Sequence, residues 1–388
     1  MSRNRIIYQS EALFSSIAVT GDSDTVGTIE SGKVANLQRV TEISNNAEIT
    51  RQDVNVFGRL ASISREIIEE PTVSLDFTYY LADGYNESGI GLTTYKSAGN
   101  THVSCLSGIL ANTVEAKRNF YVLTVDEGLD ANGVDLNSAT SGSKGIIGIG
   151  NAYITNYSVN ASVGEIPTAD VSVEASNITF GVNTGDNKVQ NPSIDVTSAI
   201  AAQLEGMCEL PIASTGNLNV KVLRPGDIVL DFGTASLDMG GAILPGMTAA
   251  STKQSAHIQS FSLEVPLSRS PQYRLGNSFA FSRELDVPIS VTLSVTANLG
   301  DIDEGSLNDL ICAGSEERDI TVKMYEPCGN GTESELNLVF TLKGATLDSQ
   351  NMSSTIGDAK SVELTFSSQI GGPNDLLKGL FISGKHSQ

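Results

Sequence analysis

This sequence predicts a mainly β protein in which one unit occurs twice in tandem, and three observations carry that prediction. The first is an internal repeat. Arg51–Asp83, RQDVNVFGRLASISREIIEEPTVSLDFTYYLAD, returns without a gap as Arg269–Asp301, RSPQYRLGNSFAFSRELDVPISVTLSVTANLGD, at a shift of 218. Ten of the 33 positions are identical, among them Arg51/Arg269, Gly58/Gly276, Arg65/Arg283 and Glu66/Glu284, far more than unrelated segments share. The second is alternation. Val73, Leu75, Phe77, Tyr79 and Leu81 share one side of an extended segment, with Ser74, Asp76, Thr78 and Tyr80 on the other. The copy keeps that phase in Val291, Leu293, Val295 and Ala297, so the same face is buried twice, because a one-residue slip would invert every side chain. The third is composition: 37 glycines, no Trp, and helical periodicity in only a few segments of a 388-residue chain.

Taken in order, residues 1–36 form an N-terminal arm whose centre, AVTGDSDTVGTIESGKVAN, is small, polar and Gly-rich, as expected of a loop or of a segment ordered by a neighbour. Repeat A spans 37–180 and opens with a strand from Leu37 toward Ile43. A long charged loop follows over 45–71, and then the alternating strand. A short helix, apolar at Leu106, Ile109, Leu110 and Val114, leads into a strand at Phe120–Val122. Its counterpart begins at Leu307 and leads to Ile320–Val322, at a shift near 200. A third block, Ala152 to Glu165, matches Ala345 to Asp358 at a shift of 193 and ends in the alternating strands Val171–Ala175 and Val362–Phe366. The falling shift places longer, Gly- and Asn-rich loops in repeat A around 84–105 and 127–145. Residues 181–256 separate the repeats and contain β-like stretches at Leu218–Val222 and Ile228–Leu230. They are too long and apolar for a linker and are expected to pack on the repeats or form a small β element. Repeat B, with a C-terminal tail, covers 257–388.

A formal charge of −21 argues against holding nucleic acid through its phosphates, and against anionic membrane surfaces. The N-terminus lacks the apolar core of a signal peptide, and no apolar run reaches the length of a membrane span. Cys105, Cys208, Cys312 and Cys328 are widely spaced and unmatched between repeats, so they are read as free thiols of a protein made in the cytoplasm.

No catalytic chemistry is expected. His102, His257 and His386 are scattered, without the spacing of a metal site or triad. Gly145–Gly150 lacks the order of a phosphate loop and reads as strand and turn. The acidic loop Asp126–Asp135 lacks the closing bidentate Glu of a calcium loop. Neither a cofactor nor a metal is implied. What stands out is the repeated set Arg51, Gly58, Arg65 and Glu66 with Arg269, Gly276, Arg283 and Glu284. Either these residues form an intrachain ion pair and a turn, or they lie in loops that dock on a neighbouring subunit, with Arg forks gripping carboxylates. The length and polarity of the loops favour docking.

The run Ile49–Gly58 followed by Pro71–Phe77 resembles the tail tube (major tail) proteins of long-tailed bacteriophages. So do Val163-Gly164-Glu165-Ile166-Pro167, Leu223-Arg224-Pro225-Gly226-Asp227 and Asn4–Glu11. The likeness spans nearly the whole chain through diffuse motifs. It implies tandem β-sandwich, barrel-forming domains, each with one short flanking α-helix, in a non-enzymatic structural protein of the virion tail assembled in the host cytoplasm. Because two copies sit in one chain, homotrimeric rings with pseudo-sixfold symmetry are expected, stacked into a tube that conducts DNA during ejection. Tape-measure, tail-tip and tail-terminator proteins are the implied further partners. The loops 45–71 and 263–288 match in position the loop that reaches an adjacent ring. The acidic excess then suggests a channel that repels phosphate, with Asp76 as a lumen-facing candidate. Capsid decoration, tail termination and a β-sandwich surface adhesin are the alternative roles.

Overall fold

The structure, a computed structural model, describes residues 6–7, 10–18, 28–29, 33–95, 105–110, 116–133, 144–183, 188–196, 201–212, 221–232, 256–299, 317–327, 336–356, 359–372 and 375–385. Strands dominate, as expected. The first part of the chain supplies β1 (Glu11–Ile17), β2 (Thr28–Ile29), β3 (Val34–Leu37), β4 (Val40–Glu48), β5 (Arg51–Val54), β6 (Ser64–Ile67) and β7 (Thr72–Tyr80). The helices α1 (Tyr85–Gly89) and α2 (Ser107–Leu110) flank β8 (Thr94–Tyr95). They are followed by β9 (Arg118–Thr124), the 19-residue β10 (Lys144–Ser162), β11 (Thr168–Ala175) and β12 (Asn177–Asn183). Between the repeats lie β13 (Lys188–Gln190), β14 (Met207–Glu209) and β15 (Ile228–Asp231). The last part supplies β16 (Ala256–Pro266), β17 (Arg269–Gln272), β18 (Ser282–Leu285), β19 (Ser290–Leu299), β20 (Arg318–Tyr325), β21 (Leu336–Ser353), β22 (Ser361–Gln369) and β23 (Gly379–Gly384).

Strand pairing shows the duplication more completely than residue identity does. The β4·β7 ladder breaks register between Val40 and Glu42, and β16·β19 breaks between Ile258 and Ser260, 218 positions on. The β10·β11 bulge at Ile154/Asn156 recurs in β21·β22 at Leu347/Ser349, 193 positions on. Each bulge lets a strand turn a corner while its buried face stays buried. The long strands do just that. The first half of β10 pairs with β9 and β12, and the second half pairs with β11. Likewise β21 passes from β20 and β23 to β22. Each repeat is thus two sheets joined by one bent strand. Asn151, with φ 54°, marks the corner in β10, and Gly145–Gly150, expected to be strand and turn, is strand throughout.

The same comparison moves the start of the repeat. Leu13 on β1 faces Val122, and Leu230 on β15 faces Val322, so β15 stands to β20 as β1 stands to β9. The N-terminal arm read from sequence therefore contains a structural strand. Its residues 12–16 are buried between β3 and β9. Part of the inter-repeat segment is, equally, the first strand of repeat B. Arg39, with φ 60°, breaks the strand expected across 37–43 into β3 and β4. Lys221 and Val222 fall outside any strand, and the rest of Leu218–Val222, the helix expected near Leu307, His102, His386, Cys312 and Cys328 lie outside the described residues.

One apolar cluster runs through both repeats, joining Leu75, Phe77, Tyr157 and Val171 to Phe261, Leu263, Leu293 and Phe366. A second covers the outer side of repeat A, where β13, β14 and β2 pack Val189, Cys208 and Leu210 on Phe14, Tyr121 and Leu123. This is the packing role expected for the inter-repeat segment. Burial pushes the Cys208 thiol up to about 11, and Cys105, fully buried, is shifted upward too.

Glu87, on α1, is buried in the first cluster's territory. The Tyr79 hydroxyl donates to its Oε1 at 2.9 Å and that of Tyr157 at 3.4 Å. Burial raises its pKa, hydrogen bonds from its own backbone and from Tyr79 oppose this in part, and Asp83 and Arg39 act in opposite senses. The folded protein therefore keeps this proton at pH values where the unfolded chain has lost it, and stability falls as pH rises above the ordinary carboxylate range. Glu87→Gln is expected to be more stable than the parent at neutral pH and to lose that advantage on acidification, read as the difference in urea midpoints across pH.

Candidate assembly interface

Eight strands form one continuous ladder, β4-β7-β11-β10-β16-β19-β22-β21, half from each repeat. Its centre is the seam β10·β16, where Tyr157 faces Val265, Val159 faces Leu263 and Ala161 faces Phe261. All six are buried. On the other face a polar chain crosses the seam. Thr78 Oγ1 donates to Asp170 at 2.7 Å, Asn160 Nδ2 to Asp170 at 3.0 Å, and Ser262 Oγ to Asn160 at 2.8 Å.

The two ends of this ladder are open, and they are the two halves of the same seam. By the repeat correspondence β4 is the counterpart of β16, and the second half of β21 is the counterpart of the second half of β10. Among the described residues, β4 pairs only with β7, and Thr346–Ser353 pairs only with β22. Residues equivalent to the buried Leu263 and Val265 are Asn45 and Ala47, both exposed.

A second seam lies in the outer layer. From repeat A, β8 pairs with β23, and the Cys105 amide donates to Leu380 O at 2.9 Å. A Cβ on Gly384 would collide with the Asp83 carbonyl, so this approach requires glycine. The counterpart of β23 is β12, whose Phe180 and Val182 are 75% and 67% exposed. Among the described residues β12 pairs only with β10 and is an open half of this second seam; the repeat-B counterpart of β8 lies outside them.

The loops over 45–71 and 263–288 are more ordered than the sequence suggests. Each is a strand end followed by a two-stranded hairpin arm, β5–β6 and β17–β18, paired in the same register. Gly58 (φ 83°) and Gly276 (φ 94°) occupy turn positions that other residues adopt only with strain. The repeat-B arm is seated on repeat A. Arg283, 4% exposed, donates to Glu70 at 2.8 Å and also reaches Glu174. Glu70 accepts further from the Ala280 amide at 2.9 Å and from Tyr273. Arg269 lies over the Tyr153 ring, 4.7 Å from its centroid, and donates to Arg283 O. Glu284 accepts from Ser282 at the exposed side.

Among the described residues the repeat-A arm has no comparable seat: Arg51 and Glu66 are exposed, and Arg65 donates to Asp53 within the hairpin at 2.6 Å. Val54, Phe57, Leu60, Ile63 and Ile67 are all exposed, Phe57 and Leu60 completely. The structure thus brings Arg269 and Arg283 together and leaves Arg51 and Arg65 exposed. Sequence reading missed the two acids that hold Arg283, Glu70 and Glu174, because neither is repeated.

Asp76 is exposed on the polar face of the ladder. Cross-strand register places Glu42, Glu48, Asp170, Glu174, Glu264 and Glu363 on the same face, and no Lys or Arg occupies it in the eight strands. A shallow groove of about 620 Å³ over the seam is lined by this surface, including Tyr80, Asn160, Ser262, Thr296 and Glu363. Among the described residues no group of three His, Cys, Asp or Glu side chains is placed to hold a metal. No helix there is long and apolar enough to cross a membrane.

No protein-family model matches the chain, and no curated protein does. Among solved structures, it is similar to a chain in the virion of a native gene transfer agent particle, at 11% identity and TM-score 0.20, covering 40% of this chain and 95% of that one. It is also similar to a chain in the tail of an empty particle of that kind, with C6 symmetry, at 12% identity and TM-score 0.20, covering 38% and 93%.

Proposed function

We propose that the chain is a structural subunit of a phage-type tail, that copies join head to tail through their open edges into a ring, and that stacked rings form a tube for DNA. The observation that carries this reading is the open seam. Each chain contains one completed A–B junction and, among the described residues, exposes the two halves of another in the inner ladder and one half, β12, in the outer layer. Satisfying both halves with further copies is a heterologous contact, which closes into a ring when the rotation per copy permits. Closure removes the two exposed sheet edges, which are otherwise an aggregation hazard. Three copies supply six repeats, hence pseudo-sixfold symmetry.

In such a ring the ladder's buried face looks outward to the second sheet and the polar face looks into the channel. Apart from Glu174, which Arg283 engages, the acids on that face have no Lys or Arg beside them in the ladder and repel phosphate, so DNA passes without sticking. Asp76 is then one of seven inward carboxylates. The outer rim and tube ends are where tape-measure, tail-tip and terminator proteins meet the assembly.

The internal seam also sets the register between copies. Tyr157 opposite Val265 translates to Gln350 of one copy opposite Ala47 of the next. Purified protein carrying Ala47→Cys and Gln350→Cys is expected to give covalent oligomers on oxidation, while Ala47→Cys with Asn351→Cys, one position off and on the opposite face, is not. Negative-stain images should show threefold rings or tubes. A stable monomer in every condition, or rings whose acidic face lies outside, would refute the proposal.

A further inference from the structure

The two arms carry the same arginine but meet different seats, and the difference is a displaced counter-ion. In the junction inside the chain, the arm contributes Arg283 and Pro271, cross-strand partners, while the seat on repeat A contributes Glu70 and Glu174. The corresponding junction between copies sets the repeat-A arm on repeat B of a second copy, a placement that rests on the ring reading above. The arm there contributes Arg65 and, in the position of Pro271, Asp53. The seat contributes Pro288 in the position of Glu70 and Ser367 in the position of Glu174. Thr346 likewise stands where Tyr153 lies under Arg269. The seat has lost both carboxylates, and the arm has gained one.

We infer that the β5–β6 arm docks on the Pro288–Ser367 surface of a second copy of this chain, and that Asp53 is the counter-ion Arg65 carries with it into that interface. Charge balance in each junction argues for the pairing. Arg283 finds its acid in the seat, and Arg65 brings its own, so neither of these two arginines enters its junction without a carboxylate. Apolar complement argues the same way. Ile67, whose counterpart Leu285 packs against the core, is 47% exposed on the free arm, on the same face as Arg51, Asp53 and Arg65. A neutral seat of Pro288 and Ser367 suits a face whose one salt bridge is already made. The arm of repeat B is seated before assembly; the arm of repeat A is the one that seats during it.

Asp53→Asn separates this from a structural role, because the Asp53–Arg65 pair is exposed in the isolated chain, with side chains 47% and 65% accessible. Such a pair adds little to the stability of the single chain. The variant should keep the parental melting temperature yet need at least about tenfold more protein to form rings, followed by light scattering and negative stain. Asp53→Asn combined with Ser367→Glu restores a seat carboxylate where Glu174 stands and should recover assembly. Parental assembly by Asp53→Asn, or no recovery in the combined variant, overturns the inference while leaving the ring intact. Failure of the parent itself to form rings overturns the ring reading and this inference together.

Discussion

Replacing Arg283 by Met is expected to destabilise the isolated chain by about 3–5 kcal/mol, because it leaves Glu70 buried without its cation. Glu70 and Arg283 side chains are each 5% exposed, so little solvent screens the pair and little water replaces the lost partner. The Met side chain fills much of the aliphatic volume but offers no proton to either Glu70 or Glu174. Two of Glu70's contacts survive, from the Ala280 amide and the Tyr273 hydroxyl, and these hold the loss near that range. The measurement is the urea midpoint of the single variant beside Arg283→Met/Glu70→Gln. If the defect is the orphaned carboxylate, neutralising it recovers a large part of the loss, and the coupling between the two sites is of kcal/mol size. A single variant as stable as the parent would show that the repeat-B arm is seated by packing alone.

The second large effect is on assembly. Asn45→Lys with Ala47→Lys is expected to abolish rings and tubes while leaving the single chain's melting temperature unchanged within error. Both positions are exposed in the monomer, whereas their counterparts Leu263 and Val265 are 2% and 0% exposed within the completed seam. Two ammonium groups brought opposite Met352 and Gln350 would have to be desolvated without partners, a penalty of several kcal/mol each. Lysine on an edge strand is also how natural sheets refuse a neighbouring edge. Sedimentation of the variant as a monomer where the parent forms rings is the expected outcome; parental assembly would move the inter-copy contact away from β4.

The relation between residues and fold is clearest in the repeated stretch from Arg51 to Asp83. Its second half was legible because a half-buried strand must alternate, and two copies in one phase must bury one face. The repeated glycines were legible for a similar reason, since a tight turn at positive φ admits few residues. The arm's outline was less so. Six of the hairpin's eight strand residues are polar in Arg51–Val54 and Ser64–Ile67, and a two-stranded ribbon standing away from the core buries neither face, so no period marks it. The equivalence of β1 and β15 left almost no trace in residue identity, because each needs only to be apolar where it meets β9 or β20.

The sequence by itself determined the duplication, the mainly β architecture, the buried phase of the strands and the turn glycines of the arms. Each of these follows from local periodicity or from a residue type that backbone geometry demands, and such constraints act on neighbours along the chain. Only the tertiary structure decided that one arm is seated and the other free, that Glu70 and Glu174 lie 213 and 109 positions from the arginine they hold, and that the ladder ends in the two halves of its own seam. Those outcomes depend on which distant edges and charges meet. Coulomb attraction and edge hydrogen bonding depend on separation in space, and residue order alone does not encode it.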